Sequence, residues 1–248
     1  MNDLSLDALV ELVRTSDHST FYRDHWGAET RFERLRPMTR EKVAQTPWNA
    51  RRYSRQKSLL KIVPFSSRPF LSEWTLTDSA LESYGGEGER PLVYLSNPHE
   101  RLEKSLWCYA QGRVPVIGES VIDAGIRIAL KCRIDSLLTD MAMLPRLGAL
   151  FGALDAPLVS LSIIDTEFDY VRIESFARYA RTTRLVLALP ETGVIGASSI
   201  DTREQWHVPH GCHLDTAETI VISKPRLFSL PIIRYDTGIS SCAFRFSR

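Results

Sequence analysis

The 248-residue sequence is marked first by what it lacks. Its net charge is only +1, from 31 basic and 30 acidic residues, which removes the general electrostatic reason to expect nucleic acid or an anionic membrane. No apolar run approaches the roughly 20 residues needed to cross a bilayer. The opening MNDLSLDALVEL carries three acids and no basic segment, unlike a secretory leader. Cys108, Cys132, Cys212 and Cys242 form no Cys-x-x-Cys pair, so reduced thiols in a cytoplasm are expected. No Gly-x-Ser-x-Gly elbow follows an expected strand, and the serines of GASSI (196–200) lack that frame; a Ser–His–acid hydrolase is set aside. No Gly-x-Gly-x-x-Gly opens the central block either, which leaves a dinucleotide site without support. There is no internal repeat.

What is present is an alternation between residues 91 and 189. PLVYL (91–95), VPVIG (114–118), IDSLL (134–138), PLVSLSII (157–164) and RLVLAL (184–189) read as buried strands, short and nearly continuous in apolar character. Helix-length segments separate them. Asn97-Pro98, with Glu100 three residues after Asn97, opens the first, and Gly112 suits its end. Ser120 and Asp123 open the second, with Ile122, Ile126, Ala129 and Leu130 on one face. Pro145 kinks or delays the third (141–154). The fourth, 169–181, places Val171, Phe176, Tyr179 and Ala180 to one side. The pattern predicts an α/β fold with a doubly wound parallel sheet, whose ligands bind beyond the C-terminal strand ends.

Around this block lie an N-terminal helical arm (1–60), so that the sheet domain spans 61–199, and a small β-rich region (200–248). In the arm, Leu6, Leu9, Val10 and Val13 repeat at helical spacing behind Ser5. STFYRDHWG (19–27) reads as an aromatic, charged linker. Thr39 caps a short helix through Gln45, with Glu41 in its first turn and Pro47 closing it. RRYSRQKSLLK (51–61), with Arg51, Arg52, Arg55, Lys57 and Lys61, reads as a solvated surface segment. A strand, a polar turn and a second strand occupy 61–78, leading to a helix capped by Thr77. GGEGE (85–89) is a flexible connection. Beyond residue 190, AETIVIS (217–223) and LPIIRY (230–235) are the clearest strands.

Two stretches resemble the adenylate-forming ligases, in particular the phenylacetate–CoA ligase branch. PIIRYDTGI (231–239) is similar to that branch's Pro-Leu-Ile-Arg-Tyr-x-Thr-Gly-Asp signature at Pro231, Ile233, Arg234, Tyr235, Thr237 and Gly238. FYRDHWG (21–27), followed by RPMTREKVAQTP (36–47), resembles the family's opening. Between them, LALPETGVIGA (187–197) stands where the family carries Tyr-Gly-x-Thr-Glu. The resemblance implies a large ligase domain that joins a small carboxylic acid to ATP, with magnesium and coenzyme A as further partners. Amides or cations must then surround the phosphates, and a carboxylate must hold the magnesium.

By resemblance, Ser66, Ser67 and Arg68 of PFSSRPF (64–70) would meet phosphate, Arg234 and Thr237 would line the nucleotide side, and Glu191 would bind magnesium. Departures are equally visible. The phosphate loop lacks glycines, Leu187, Ala188 and Pro190 replace Tyr, Gly and Thr, and Ile239 replaces the ribose-binding acid. The family's C-terminal lid, which brings a catalytic lysine, has no counterpart before Arg248. These substitutions imply weak or no ligase activity, on a degenerate relative that still binds ATP or a carboxylate. The alternatives are a non-catalytic binding or regulatory module, or half of a split enzyme whose lid comes from a partner chain.

One cluster lies outside that resemblance. WHVPHGCH (206–213) gathers His207, His210, Cys212 and His213, residue types that hold zinc. A second ligand pair is lacking, and a polar hairpin shaped by Pro209 and Gly211 explains the same residues.

Overall fold

The computed structural model describes residues 5–15, 20–51, 60–63, 69–73, 87–118, 122–209, 212–224 and 232–247. The chain forms two compact units, residues 1–74 with 208–245 and residues 75–207 with 246–248.

The first unit opens with α1 (Leu6–Arg14). The Ser5 hydroxyl accepts from the Ala8 amide at 3.2 Å, and Leu9, Val10 and Val13 are fully buried, as their spacing predicts. The expected linker is instead helix α2 (Phe21–Trp26). Its aromatic residues Phe21, Tyr22 and Trp26 turn inward and join α1, Phe32, Leu35, Met38 and Ile233 in one core. The gain from burying three large rings outweighs the modest helix propensity of this segment. Gly27, at φ 61°, ends the helix, and the Trp26 indole N–H donates to the Arg36 carbonyl at 3.2 Å.

β1 (Met38–Thr39) leads into α3 (Arg40–Gln45), capped by Thr39, whose hydroxyl accepts from the Lys42 amide at 3.3 Å. α4 (Trp48–Arg51) follows Pro47. Arg51 corrects the expectation of a solvated basic run. It is buried, donates to the Leu71 carbonyl at 2.8 Å and the Thr46 carbonyl at 3.4 Å, and lies over the Phe70 ring. Backbone carbonyls and an aromatic face replace its water. Arg52, Arg55 and Lys57 lie outside the described residues, as does the expected Thr77 cap. β2 (Leu60–Val63) and β3 (Phe70–Glu73) pair antiparallel, with Val63 opposite Phe70.

In the second unit the βα alternation is realised. β4 (Pro91–Tyr94), α5 (Pro98–Ala110), β5 (Val116–Ile117), α6 (Ile122–Lys131) and β6 (Ser136–Thr139) come first. α7 (Gly148–Gly152), β7 (Leu158–Asp165), α8 (Tyr170–Ala177) and β8 (Ala180–Leu189) follow. The five strands are parallel, in the order β5-β4-β6-β7-β8. That is the doubly wound 2-1-3-4-5 order, whose switch point lies between β4 and β6. Every residue of β4 and β6 is buried, as strands covered on both faces require.

Local signals fix the helices. The Asn97 side chain accepts from the His99 amide at 2.9 Å at the start of α5, with Pro98 in the first turn. Pro145 has the expected effect: residues 144–147 form a 3-10 turn, and α7 begins only at Gly148. α8 ends at Ala177, earlier than 181, because β8 begins at Ala180. Its inner face is also corrected. Ile173 is fully buried while Val171 is 81% exposed; residues two apart lie about 200° around a helix, so only one can face the sheet.

β9 (Gly193–Ser199) turns back antiparallel to β8, and β10 (Trp206–His207) pairs with it. The chain then supplies β11 (His213–Thr216), β12 (Thr219–Ser223) and β13 (Tyr235–Ser240) to the first unit. These form a four-stranded sheet in the order β1-β13-β12-β11, with β1 parallel to β13. LPIIRY is not a strand over its described part. Arg234 adopts φ 51°, which interrupts the extended run, and pairing begins at Tyr235. Finally β14 (Phe246–Ser247) lies parallel to β10 at the edge of the eight-stranded sheet.

His25 yields a pH prediction. Partial burial lowers its pKa below the ordinary 6.5, a shift partly offset by the bond from its ring to the Pro37 carbonyl at 3.3 Å. The unfolded chain therefore binds the proton more readily. Stability from this group is complete above pH 6.5 and is lost as pH falls through the folded value. The melting temperature of the wild type should fall between pH 7.5 and 5.5 more steeply than that of His25→Gln, as measured by circular dichroism.

Candidate functional site

The C-terminal ends of the parallel strands are the part of a doubly wound sheet where ligands gather. Here that edge is rich in carboxylates. The Asp140 carboxylate, after β6, accepts from the Ser96 amide at 2.6 Å and the Met143 amide at 2.8 Å. Asp165, at the end of β7, accepts from the Met141 amide at 3.0 Å and the Thr166 amide at 2.8 Å. Each acid ties the loop of the neighbouring strand to its own, so the edge is laced by charge-assisted bonds.

Glu191 belongs to the same edge. β8 ends at Leu189, which pairs with Gly193, leaving Pro190, Glu191 and Thr192 as a three-residue hairpin loop. Gly193 takes φ 69° to close it. Glu191 is only 5% exposed, and Thr192 beside it is fully buried, its hydroxyl donating to the Gly193 carbonyl at 3.3 Å. A solvated loop carboxylate is thereby excluded. Among the described residues no three His, Cys, Asp or Glu side chains converge as a metal group. Magnesium usually keeps several waters and takes one or two carboxylates plus substrate phosphates. Glu191 is not part of a converging metal group among the described residues.

Arg234 and Thr237 present a different picture. The Arg234 amide donates to the Ser223 hydroxyl at 2.7 Å, and its guanidinium to the Leu35 carbonyl at 3.2 Å and to Asp215 at 2.9 Å. The same group lies 5.7 Å from the Phe32 ring centre. The Thr237 hydroxyl donates to the Ile220 carbonyl at 2.8 Å and accepts from the Ile239 amide at 3.2 Å. Asp236 accepts from the Gly238 amide at 2.9 Å, and Gly238 has φ 70°. Between Val221 opposite Asp236 and Thr219 opposite Ser240 the register shifts, so Thr237 and Gly238 form a bulge held by the side chains of Asp236 and Thr237. The donors expected to meet nucleotide are engaged within the fold.

Ser66, Ser67 and Arg68 lie outside the described residues, as does His210. Of the remaining zinc candidates, His207 is exposed in the second unit, with Nδ1 3.2 Å from the Ser247 hydroxyl. Cys212 and His213 belong to the first unit, where His213 packs edge-on against Phe32 at 4.9 Å.

Three residues escape a reading of the sequence. The Tyr94 hydroxyl, at the end of β4 on the switch point, and the Ser162 hydroxyl, in β7, are buried with no hydrogen bond among the described residues. Lys104, on α5, is 5% exposed. Its helical spacing to Cys108 was the available sign that it faces inward.

No protein-family model matches the sequence, and no curated protein matches it. Solved structures do match in fold. o-Succinylbenzoate CoA synthetase from Bacillus subtilis aligns at TM-score 0.53 and 12% identity, over 66% of this chain and 40% of that one. The luciferase-like enzyme of the mealworm Zophobas morio aligns at 0.53 and 12%, over 73% and 51%. The amide bond synthetase McbA from Marinactinospora thermotolerans aligns at 0.53 and 14%, over 66% and 39%. The fold is thus like that of the large domain of the adenylate-forming ligases, and the chain spans about half or less of the length of these structures.

If Arg234 and Thr237 hold the fold, their loss is read in stability. Arg234→Met leaves the Leu35 carbonyl and the half-exposed Asp215 without their donor and should cost about 2–4 kcal/mol in urea unfolding. Thr237→Val should cost about 1–2 kcal/mol. A ligand-binding defect in a Thr237→Val protein of unchanged stability would contradict this assignment.

Proposed function

We propose that the chain is an adenylate-forming ligase-like protein that resembles the phenylacetate–CoA ligase branch. It binds ATP with magnesium, or a small carboxylic acid, and has weak or no ligase activity. The observation that carries this reading is Glu191, a buried carboxylate in the turn after the last parallel strand of a ligase-like sheet. The B. subtilis synthetase has been solved in complex with AMP, and its Escherichia coli counterpart with OSB-AMS. Extended to this chain, those complexes suggest an adenylate as the ligand class.

In this reading Glu191 receives magnesium carried by the nucleotide phosphates. The group supplied by ATP is an activated phosphoryl centre. The chain's own part is to hold charge at Glu191 and to position the strand ends through Asp140 and Asp165. Coenzyme A, and a lid contributed by a partner chain, belong to the same proposal.

The engagement of Arg234 and Thr237 within the fold favours a second reading, a non-catalytic binding or regulatory module on the same scaffold. Calorimetric titration with ATP and magnesium separates the two. The ligase-like reading expects binding that weakens roughly 10-fold or more in Glu191→Ala, since a charge-assisted contact contributes about 1.5–3 kcal/mol. Pyrophosphate exchange with aryl and fatty acids then tests for adenylate formation. Absence of heat with a folded protein would sink the ligase reading and leave the module.

A further inference from the structure

Helix α5 is apolar on the side that faces away from the sheet as well as on the side that faces it. Trp107 and Cys108 pack inward with Val93 and Leu138. The exposed residues of the helix are Pro98, His99, Leu102, Leu106, Tyr109 and Ala110, none of which has a fixed charge. Its Glu103 and Lys104 are buried instead, while Leu102, Leu106 and Tyr109 stand 46%, 40% and 72% exposed. Other helices are ordinary in this respect: α1 exposes Asp7 and Glu11, and α8 exposes Arg172 and Glu174. A helix that is apolar all round is one that something covers.

The apolar surface continues beyond the helix. The turn at Gly112 leads into the segment of β5, the edge strand of its sheet, and α5 packs on both β4 and β5. In that segment Val114 is 63% and Ile117 48% exposed. Ile117 stands opposite Val93, and cross-strand partners share a face, so it points to the α5 side. The edge itself is poorly suited to adding a strand. β5 has only two residues and follows Pro115, which has no N–H to donate.

The arrangement of the stripe selects its occupant. Leu102, Leu106 and Tyr109 follow one another by steps of four and three residues, the spacing of a coiled-coil seam. The stripe is therefore nearly symmetric about Leu106. Two copies packed antiparallel about a two-fold axis place Leu106 against its own counterpart and Leu102 against Tyr109 of the second copy. With no fixed charge exposed on α5, such a pair sets no like charges together. At the exposures given, the three stripe residues with Val114 and Ile117 leave roughly 500 Å² of apolar surface open, a size at which a patch on a monomer is often functional. Two copies meeting across it bury about 1,000 Å² from these side chains alone, the lower end of specific interfaces.

We infer that the outer face of α5, with Val114 and Ile117 at its margin, is the contact between two copies of this chain, paired antiparallel about a two-fold axis at Leu106. The small area makes the dimer a weak one, with a dissociation constant of about 10–100 µM. It requires no ligand at Glu191 and stands or falls apart from that site.

Sedimentation equilibrium of the full chain, from about 1 to 500 µM, should show a reversible monomer–dimer transition. Leu106→Glu sets two carboxylates together at the axis and should raise the dissociation constant at least roughly 10-fold. Its melting temperature should stay that of wild type, because the residue is exposed. Leu102→Glu and Tyr109→Lys should each weaken the dimer, and the double variant should bind more tightly than either, since the two substitutions then face each other across the pair. Under oxidation, Leu106→Cys should form disulfide-linked dimers faster than Val171→Cys on α8 or the wild type, whose Cys132 and Cys242 are themselves exposed. A chain that stays monomeric throughout overturns the proposal, as does a dimer that Leu106→Glu leaves intact or a double variant no tighter than the single ones. Should Leu106→Glu fail to fold, Leu106→Cys cross-linking no faster than Val171→Cys rejects the interface.

Discussion

Five parallel strands allow neither face of a sheet to meet water, and most of the second unit follows from satisfying that constraint. Each parallel connection must cross over the sheet, so each carries a helix that covers a face. The order β5-β4-β6-β7-β8 distributes those helices to both sides and opens a switch point between β4 and β6. The crossovers also bring all the strand-to-helix loops to one edge. Asp140 and Asp165 then hold those loops by their amides, which turns a row of flexible turns into a fixed rim. Glu191 is buried because the last parallel strand ends in that rim and immediately reverses into β9.

The parts of this fold that were legible in the sequence are those decided locally. Four of the five strands were readable because burial leaves a nearly continuous apolar run. VPVIG is not buried as expected: it gives only the edge strand β5, with Val114 63% and Ile117 48% exposed. The start of α5 was readable because Asn97 and Pro98 act through their own backbone. The late start of α7 was legible for the same reason at Pro145. What could not be read depends on partners far along the chain. Phe21, Tyr22 and Trp26 form a helix because Leu9, Val13 and Ile233 are there to receive them. Arg51 looks like one of several surface cations until the Leu71 carbonyl is placed beside it. The break at Arg234 is conformational, a left-handed residue inside an apolar run that otherwise predicts a strand.

The candidate site divides along the same line. Glu191 could be named from its place after an expected strand, but not its burial, which the β8–β9 hairpin imposes. Arg234 and Thr237 carry the family-like signature, yet in this chain their polar atoms hold β13, the Leu35 carbonyl and the Ile220 carbonyl together. A signature can therefore survive because it shapes a bulge, whatever becomes of the chemistry around it.

The interleaving of the two units has a consequence for the order in which the protein can form. Residues 1–74 leave the ribosome first, but their core includes Ile233, and their strand β1 pairs with β13. The whole of residues 75–207 is synthesised in between. That intervening stretch contains all five strands β4–β8 of the parallel block and each of their crossovers, so it can begin to collapse on its own during translation. The N-terminal helices can pack Phe21, Tyr22 and Trp26 against Leu9, Val10 and Val13 early, but Ile233 and the partner of β1 join them only when the last strands emerge. The first unit is thus closed only by the segment that follows the whole of the second.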